Sequence, residues 1–428
     1  MASGPLQPRV LACAQAAVDI PDDLAGCVVP HPPPVPLTIT VLGHGSHRDT
    51  PVGVANTRTT SSSPHGRHTP PGECIIRTMD NLAHALVGAA LGRAVAHGRV
   101  PQAALIGAVA ANAPDWTEFL IGFRGRRIDY YSMHRGITHS FLGAAVEIAA
   151  LTLVVGLGAM WWARRRGAPG PQWRWLTLCV GVTVLSHLMM DWQGSYGLRP
   201  FLPSSGRWYY GDWVAIVDPF YWLVPLIALA WGARRHWQPA LLYGAIAAFA
   251  TYVLLSHLTE VAAWVTAVFA GMLLVAGIGW TRHWVGPVES RRAAAVAVLL
   301  LGVYSAASGI VSHFAKAAVE RTAAARFGPR AQWAALTIVG RPLSWEPIYA
   351  SADSVAGHGW AVARHLRDPQ VQSALQTNEG RAMGQFARFL VAEVDPGPAG
   401  TVVVLRDARY ARSGRIGWAV VSIRMAGG

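Results

Sequence analysis

Residues 141–166 read FLGAAVEIAALTLVVGLGAMWWARRR. From Phe141 to Ala163 the run holds a single ionisable residue, Glu147. A hydrocarbon core of about 30 Å takes about 20 consecutive apolar residues in helical form, and this run supplies them. Trp161 and Trp162 close the run as an interface belt, and Arg164, Arg165 and Arg166 follow as a topology signal. The same pattern repeats along the chain. Leu82–Ala96, Ala103–Gly122, Trp173–Trp192, Pro219–Gly232, Ala240–Ser256, Val261–Trp280 and Ala293–His313 are further apolar runs, the first of them short for a span. The expected fold is mainly α, a polytopic helical membrane bundle of about eight segments.

Composition agrees. Charged residues make up 14% of the chain and hydrophobic ones 52%, against about 25% charged in soluble domains. So few charges cannot cover a packed core of this size with polar surface, which excludes a disordered chain and an ordinary soluble enzyme. The net charge of +13 is almost all arginine, with Lys316 the sole lysine. These arginines sit in short loops between apolar runs, so they read as orientation signals and not as a nucleic-acid surface. Cys13, Cys27, Cys74 and Cys179 form no CxxC, so neither a disulfide framework nor a thiolate zinc site is expected.

Both ends differ from the middle. Residues 1–78 are rich in Pro, Ser, His and Gly, as in HPPPVP and TSSSPHGRHTPP, and hold no run long enough for a signal peptide or a span. They are expected to be a disordered tail, or sequence upstream of a true start at Met79. Residues 79–314 are expected to form the membrane domain. Residues 315–428 turn polar and are expected to form a small soluble α+β domain. There Thr401–Leu405 and Gly417–Ile423 read as strands and His313–Arg326 as a helix leaving the membrane.

If the eight segments alternate, eleven arginines fall in the loops of one side and six in those of the other, Arg124, Arg126, Arg127 and Arg135 among the six. The richer side is expected to be cytoplasmic. The C-terminal domain then faces outward.

Ionisable residues at membrane depth are costly and mark function by default. Here they gather. Asp80 and His84 open the first segment, Asp115 and Glu118 lie late in the second, and His134 and His139 precede the third. His187 and Asp191 close the fourth, and Asp212 and Asp218 precede the fifth. Alternation puts every one of them on the same membrane face. His187 and Asp191 are four apart and share a helix face, as do Asp80 and His84; Asp115 and Glu118 are three apart. Imidazole with carboxylate suits zinc, manganese or iron, and sets of more than four such ligands are typical of two-metal hydrolases, in which metal lowers the pKa of a water. Each residue also has a plainer role open to it: Asp80 as a helix cap, Glu147 as a buried acid/base or a packing residue, Arg135 as a phosphate clamp or a lipid-headgroup anchor.

Five stretches, MDNLAHALVGAALG, ANAPDW, HRGITHS, SHLMMDWQGSYGLRPF and GDWVAIVDP, come in that order between Met79 and Pro219. Together they resemble the YdjM-like family of inner-membrane metal-dependent hydrolases, also named for LexA binding. The resemblance covers about Met79 to Leu229, with a looser likeness in the C-terminal part. It implies metal ligation by His84, Asp115, His139, His187, Asp191 and Asp218, with His134 matching the first histidine of HRGxTHS. The family often has P-D-x-D, where this chain has Thr117 followed by Glu118. The combined expectation is a multi-pass protein of the bacterial inner (cytoplasmic) membrane. It would hold a divalent metal, zinc foremost with manganese or iron as alternatives, at an extracytoplasmic site. Its chemistry would be hydrolysis of an ester or phosphoester of a lipid or envelope compound. His134, Glu118 and Arg135 are the candidate catalytic groups. Membrane lipid is the expected partner and nucleic acid is not. The alternative is a non-enzymatic metal-binding protein or a transporter, whose site would tend to lie nearer the bilayer midplane.

Overall fold

Helix α1 (Pro71–Ala96) is the element around which the helical part is organised. It packs on α2 (Ala103–Ala110), α4 (Trp173–Gln193), α5 (Pro219–Trp231) and α8 (Ser290–Phe327). The computed structural model describes residues 71–117, 131, 133–233, 237–257, 260–286, 289–397 and 400–425, with side chains from Asn81 onward. All of them belong to one unit. Glu118, the side chain of Asp80, residues 1–70 and the arginines at 124, 126, 127, 234 and 235 lie outside that description.

Close approach of α1 to α2 depends on glycine. A Cβ on Gly88 would stand 2.4 Å from the Gly107 carbonyl oxygen, and one on Gly107 would stand 2.2 Å from that of Gly88. Small residues at a helix contact let backbones meet in this way. One apolar core joins α1 to α5 through Leu86, Val87, Trp222, Leu223 and Leu226. A second joins α2, α3 (Phe141–Arg166) and α4 through Ala103, Ala144, Cys179, Val180 and Val184.

Among the described residues, five helices are long and apolar enough to cross a membrane. They are α3, α4, α6 (Trp237–Ser256), α7 (Ala263–Arg282) and α8. Among the described residues this is fewer than the eight segments expected. Within the described part of the run from Ala103, α2 ends at Ala110 and Asn112 and Pro114 turn the chain into a 3₁₀ turn, Ala113–Asp115, before helix resumes at Trp116. Helix α5, of 13 residues, is also too short. Val154 and Leu157 on α3, Leu241 and Tyr252 on α6, and Leu299 and Val303 on α8 face outward, as on a surface bathed by hydrocarbon.

Helix α8 continues unbroken past residue 314 to Phe327, so no turn marks the expected boundary there. Beyond it lies a small α+β region. Four antiparallel strands, β1 (Gln332–Thr337), β2 (Trp345–Ala350), β3 (Ser354–Gly357) and β4 (Trp360–Ala363), form one sheet in that order. Two short helices, α9 (Pro369–Leu375) and α10 (Asn378–Phe386), precede a second sheet of β5 (Leu390–Gly397), β6 (Gly400–Asp407) and β7 (Val420–Arg424). The strands expected at Thr401–Leu405 and Gly417–Ile423 are β6 and β7, the latter starting later because Trp418 and Ala419 form a turn.

This region seats on the segment that follows α4. Arg409 donates to the Ser195 carbonyl at 2.7 Å, Trp345 Nε1 to the Asp212 carbonyl at 2.8 Å, and Arg388 pairs with the Asp212 carboxylate at 2.9 Å.

Candidate metal centre

Four short structural devices bring the ionisable side chains together. The first is the end of α2. Its C-cap residue Ala111 presents a carbonyl that no helical N–H can reach, and His187 Nδ1 takes it at 2.7 Å. That bond places the proton on Nδ1 and turns the lone pair of Nε2 into the cluster, as a hydrogen-bonded metal ligand requires. The 3₁₀ turn after Ala111 then carries Asp115 to the same place, and Asn81 Nδ2 steadies its Oδ2 at 3.3 Å.

The second device is the HRGITHS turn. Ile137–His139 is a 3₁₀ turn, and Ser140 caps α3 by accepting from the Gly143 N–H at 3.0 Å while donating to the Ile137 carbonyl at 2.7 Å. A Cβ on Gly143 would stand 1.9 Å from the Ile137 oxygen, so only glycine lets the turn close and hold His139 in place. The third is the i, i+4 pair His187 and Asp191 on the last turns of α4, and the fourth is His84 on α1.

The result is a buried constellation. His84, His139 and His187 are fully buried and Asp191 nearly so. His139 Nε2 lies 3.2 Å from Asp115 Oδ1, 3.3 Å from Asp191 Oδ2 and 3.1 Å from His187 Nε2. His187 Nε2 lies 3.6 Å from both Asp115 Oδ1 and Asp191 Oδ2. His84 Nε2 is 3.5 Å from Asp191 Oδ1, and its ring stacks on His187 with centroids 3.9 Å apart. Tetrahedral ligands about 2.0–2.1 Å from one zinc ion stand about 3.3–3.4 Å from each other, and the spacings here, 3.1–3.6 Å, bracket that edge. Among the described residues, two sets could hold a metal: His84, Asp115 and His187, and His139, His187 and Asp191.

Charge points the same way. With neutral imidazoles, two carboxylates face one guanidinium, that of Arg135, leaving a buried negative charge that a divalent cation would offset. Asp191 Oδ2 accepts no hydrogen bond from protein and points at the two imidazole nitrogens.

The other expected residues are placed differently. Arg135 is buried, with Nη2 on Asp191 Oδ1 at 2.7 Å and Nη1 on the Asp191 and Gly197 carbonyls at 3.2 and 2.8 Å. Its guanidinium also lies over the Tyr196 ring. The His134 ring packs edge-on against Tyr196 at 4.4 Å and belongs to neither metal-capable set. Asp218 is also outside both sets. It caps α5, with Oδ1 accepting from the Phe220 N–H at 2.9 Å and Oδ2 from the Tyr304 hydroxyl at 2.5 Å, so its oxygens are committed to structure. Asn81 and Tyr196 were not singled out from the sequence. Asn81 sits three before His84 on the same face of α1, a signal that was there to be read. The part played by the Ala111 carbonyl has no side-chain signature at all.

Residues 79–282 match the model of the family described as YdjM inner membrane protein. No curated protein and no solved structure matches the chain. The matched stretch contains every member of the cluster, His84, Asp115, His139, His187 and Asp191, and the match is consistent with a YdjM-like inner-membrane family.

Proposed function

We propose that the protein is a metal-dependent hydrolase of an ester or phosphoester, acting on a lipid or envelope compound at the bacterial inner membrane. The observation that carries this is the convergence of His139 Nε2, His187 Nε2, Asp115 Oδ1 and Asp191 Oδ2 at 3.1–3.6 Å, with no hydrogen-bond donor on Asp191 Oδ2. These four side chains and His84 are the proposed ligands, and zinc is the proposed ion. A bound divalent ion would supply Lewis acidity, lowering the pKa of water and drawing charge from the scissile group. The chain's own residues set that chemistry up. Ala111 fixes the His187 tautomer, Asn81 orients Asp115, and Arg135 holds Asp191 by its other oxygen. His134 and Glu118 are the proposed proton carriers.

The test is metal analysis of detergent-purified wild type, His139→Ala and Asp191→Ala, together with turnover of bis(p-nitrophenyl) phosphate, p-nitrophenyl acetate and phosphatidic acid. Both variants should lose metal, and with it more activity than the roughly 10–100-fold that loss of a ligand's supporting partner costs. Full metal content in both would overturn the ligand set. Metal bound by wild type with no turnover of any ester would replace the hydrolase reading with an ion-holding role.

A further inference from the structure

Helices α4 and α8 both pack on α1 with few contacts to each other, and between them is a groove of about 850 Å³. That volume falls within the roughly 300–1,000 Å³ usual for small-molecule sites. One stripe of α8 lines it, from Val298 through Leu301, Gly302, Ser305 and Gly309 to Lys316, a length of about 27 Å at 1.5 Å per residue. One stripe of α4 faces it, from Val182 through Ser186 and Met189 to Gln193. Both helices are among the five able to cross a membrane.

Two observations say what the groove suits. First, it is graded. At one end Val182, Leu91 and Val298 leave only hydrocarbon. At the other end Gln193 accepts from Ser305 at 2.7 Å and from Tyr221 at 3.0 Å, Trp213 donates to Ser305 at 3.2 Å, and His313 and Lys316 complete the lining. No carboxylate lies among the described lining residues, and the nearby Asp212 carboxylate, which acts on Lys316, is paired with Arg388 at 2.9 Å, so this end is complementary to an anion. Lys316 gives one hydrogen bond to the Gly211 carbonyl, and an ammonium has three to give. It is also the only lysine in the chain. Second, the small residues of α8 face space and not a neighbouring helix. A Cβ on Gly302 would meet nothing within 4 Å, and one on Gly309 would reach only the Trp213 ring at 3.8 Å. Glycines that close a helix contact, such as Gly88 and Gly107, show the opposite.

We infer that this groove holds a hydrocarbon chain of an anionic phosphate lipid, with the headgroup at Lys316 and the chain running toward Val182 and Val298. The polar end is also the end nearest the metal centre. A small cavity touching Asp191, Arg135 and Asp218 shares the wall formed by Met190, Gln193 and Tyr221 with the groove. The step from bound lipid to substrate rests on the hydrolase reading; the binding itself does not.

The test is native mass spectrometry of the full chain released from detergent, with 1-palmitoyl lysophosphatidic acid as probe. Lysophosphatidylcholine and inorganic phosphate serve as controls, and metal content reports on folding. Wild type should retain one lysophosphatidic acid, and inorganic phosphate should not displace it. Gly302→Leu, which puts a side chain into the groove, should abolish retention while leaving metal content unchanged. Lys316→Gln should weaken lysophosphatidic acid binding roughly tenfold without affecting lysophosphatidylcholine, and Lys316→Arg should restore it. His139→Ala should lose metal and keep the lipid, which separates failure of the metal reading from failure of this one. Undiminished lipid retention by Gly302→Leu would overturn the inference. So would a dimer that lipid does not dissociate and that Gly302→Leu breaks, since the groove would then be the seat of a second copy's helix.

Discussion

Replacing Asp191 by asparagine keeps the shape of the side chain and removes its charge. In the wild type, Asp191 Oδ1 receives Arg135 Nη2 at 2.7 Å, and the two side chains are only 2% and 4% exposed. A solvent-exposed pair of this kind contributes about 0–1 kcal/mol, whereas removing one partner of a buried pair costs about 3–5 kcal/mol because the remaining charge stays desolvated. The burial here selects the second figure. Such a loss is a large share of a total stability of about 5–15 kcal/mol. The measurement is unfolding in mixed micelles of rising SDS fraction, followed by tryptophan fluorescence, in excess EDTA so that bound metal does not enter. Arg135→Met should cost a similar amount. The double variant should cost less than the sum of the singles by about 2 kcal/mol, as expected for groups in direct contact. A cost below about 1 kcal/mol for Asp191→Asn, or additive singles, would refute the picture of a dry ion pair beside the ligand cluster.

Three further outcomes are expected. Gly143→Ala, whose Cβ would stand 1.9 Å from the Ile137 carbonyl, should cost about 1–3 kcal/mol and lower metal occupancy by shifting His139, though no ligand is changed; unchanged metal content would show that the turn does not position the site. Gly107→Leu should separate α1 from α2 and lower stability by at least that much, read by the same SDS titration, with a neutral result ruling out the close helix contact. Burial pushes the Asp218 carboxyl up to about 6, against hydrogen bonds from Tyr304 and Phe220 that pull it down. The native state then binds this proton more tightly than the unfolded chain, so stability should fall as pH rises between 3.8 and about 6 and level off above. Asp218→Asn should flatten that part of the profile, and an unchanged profile would assign the titration to another group.

Much of the site was legible in advance because its signals are local. The i, i+4 spacing of His187 and Asp191 places both on one face of whatever helix contains them. The scarcity of charge in a chain with 14% charged residues made each membrane-edge His and Asp conspicuous. The apolar runs fixed where α3, α4, α6, α7 and α8 lie, because length and hydropathy alone decide which segments can cross a hydrocarbon layer. The strands β1 to β5 were not anticipated. Ser354–Gly357 and Trp360–Ala363 are four residues each, too short for an alternating pattern to stand out, and they are held by neighbours distant in sequence.

What the sequence determined by itself, then, was the kind of protein and the ligand types, since burial of apolar helices and the chemistry of imidazole and carboxylate follow from residue identity. Tertiary structure decided the assignments. Asp115, His139 and Asp191 became a cluster because α2 ends early and offers Ala111 to His187. Asp218 and Arg135, chemically as able as the others to serve a metal or a phosphate, found Tyr304 and Asp191 as partners. Which partner an ionisable side chain finds depends on residues far away in the chain, and no local spacing encodes that choice.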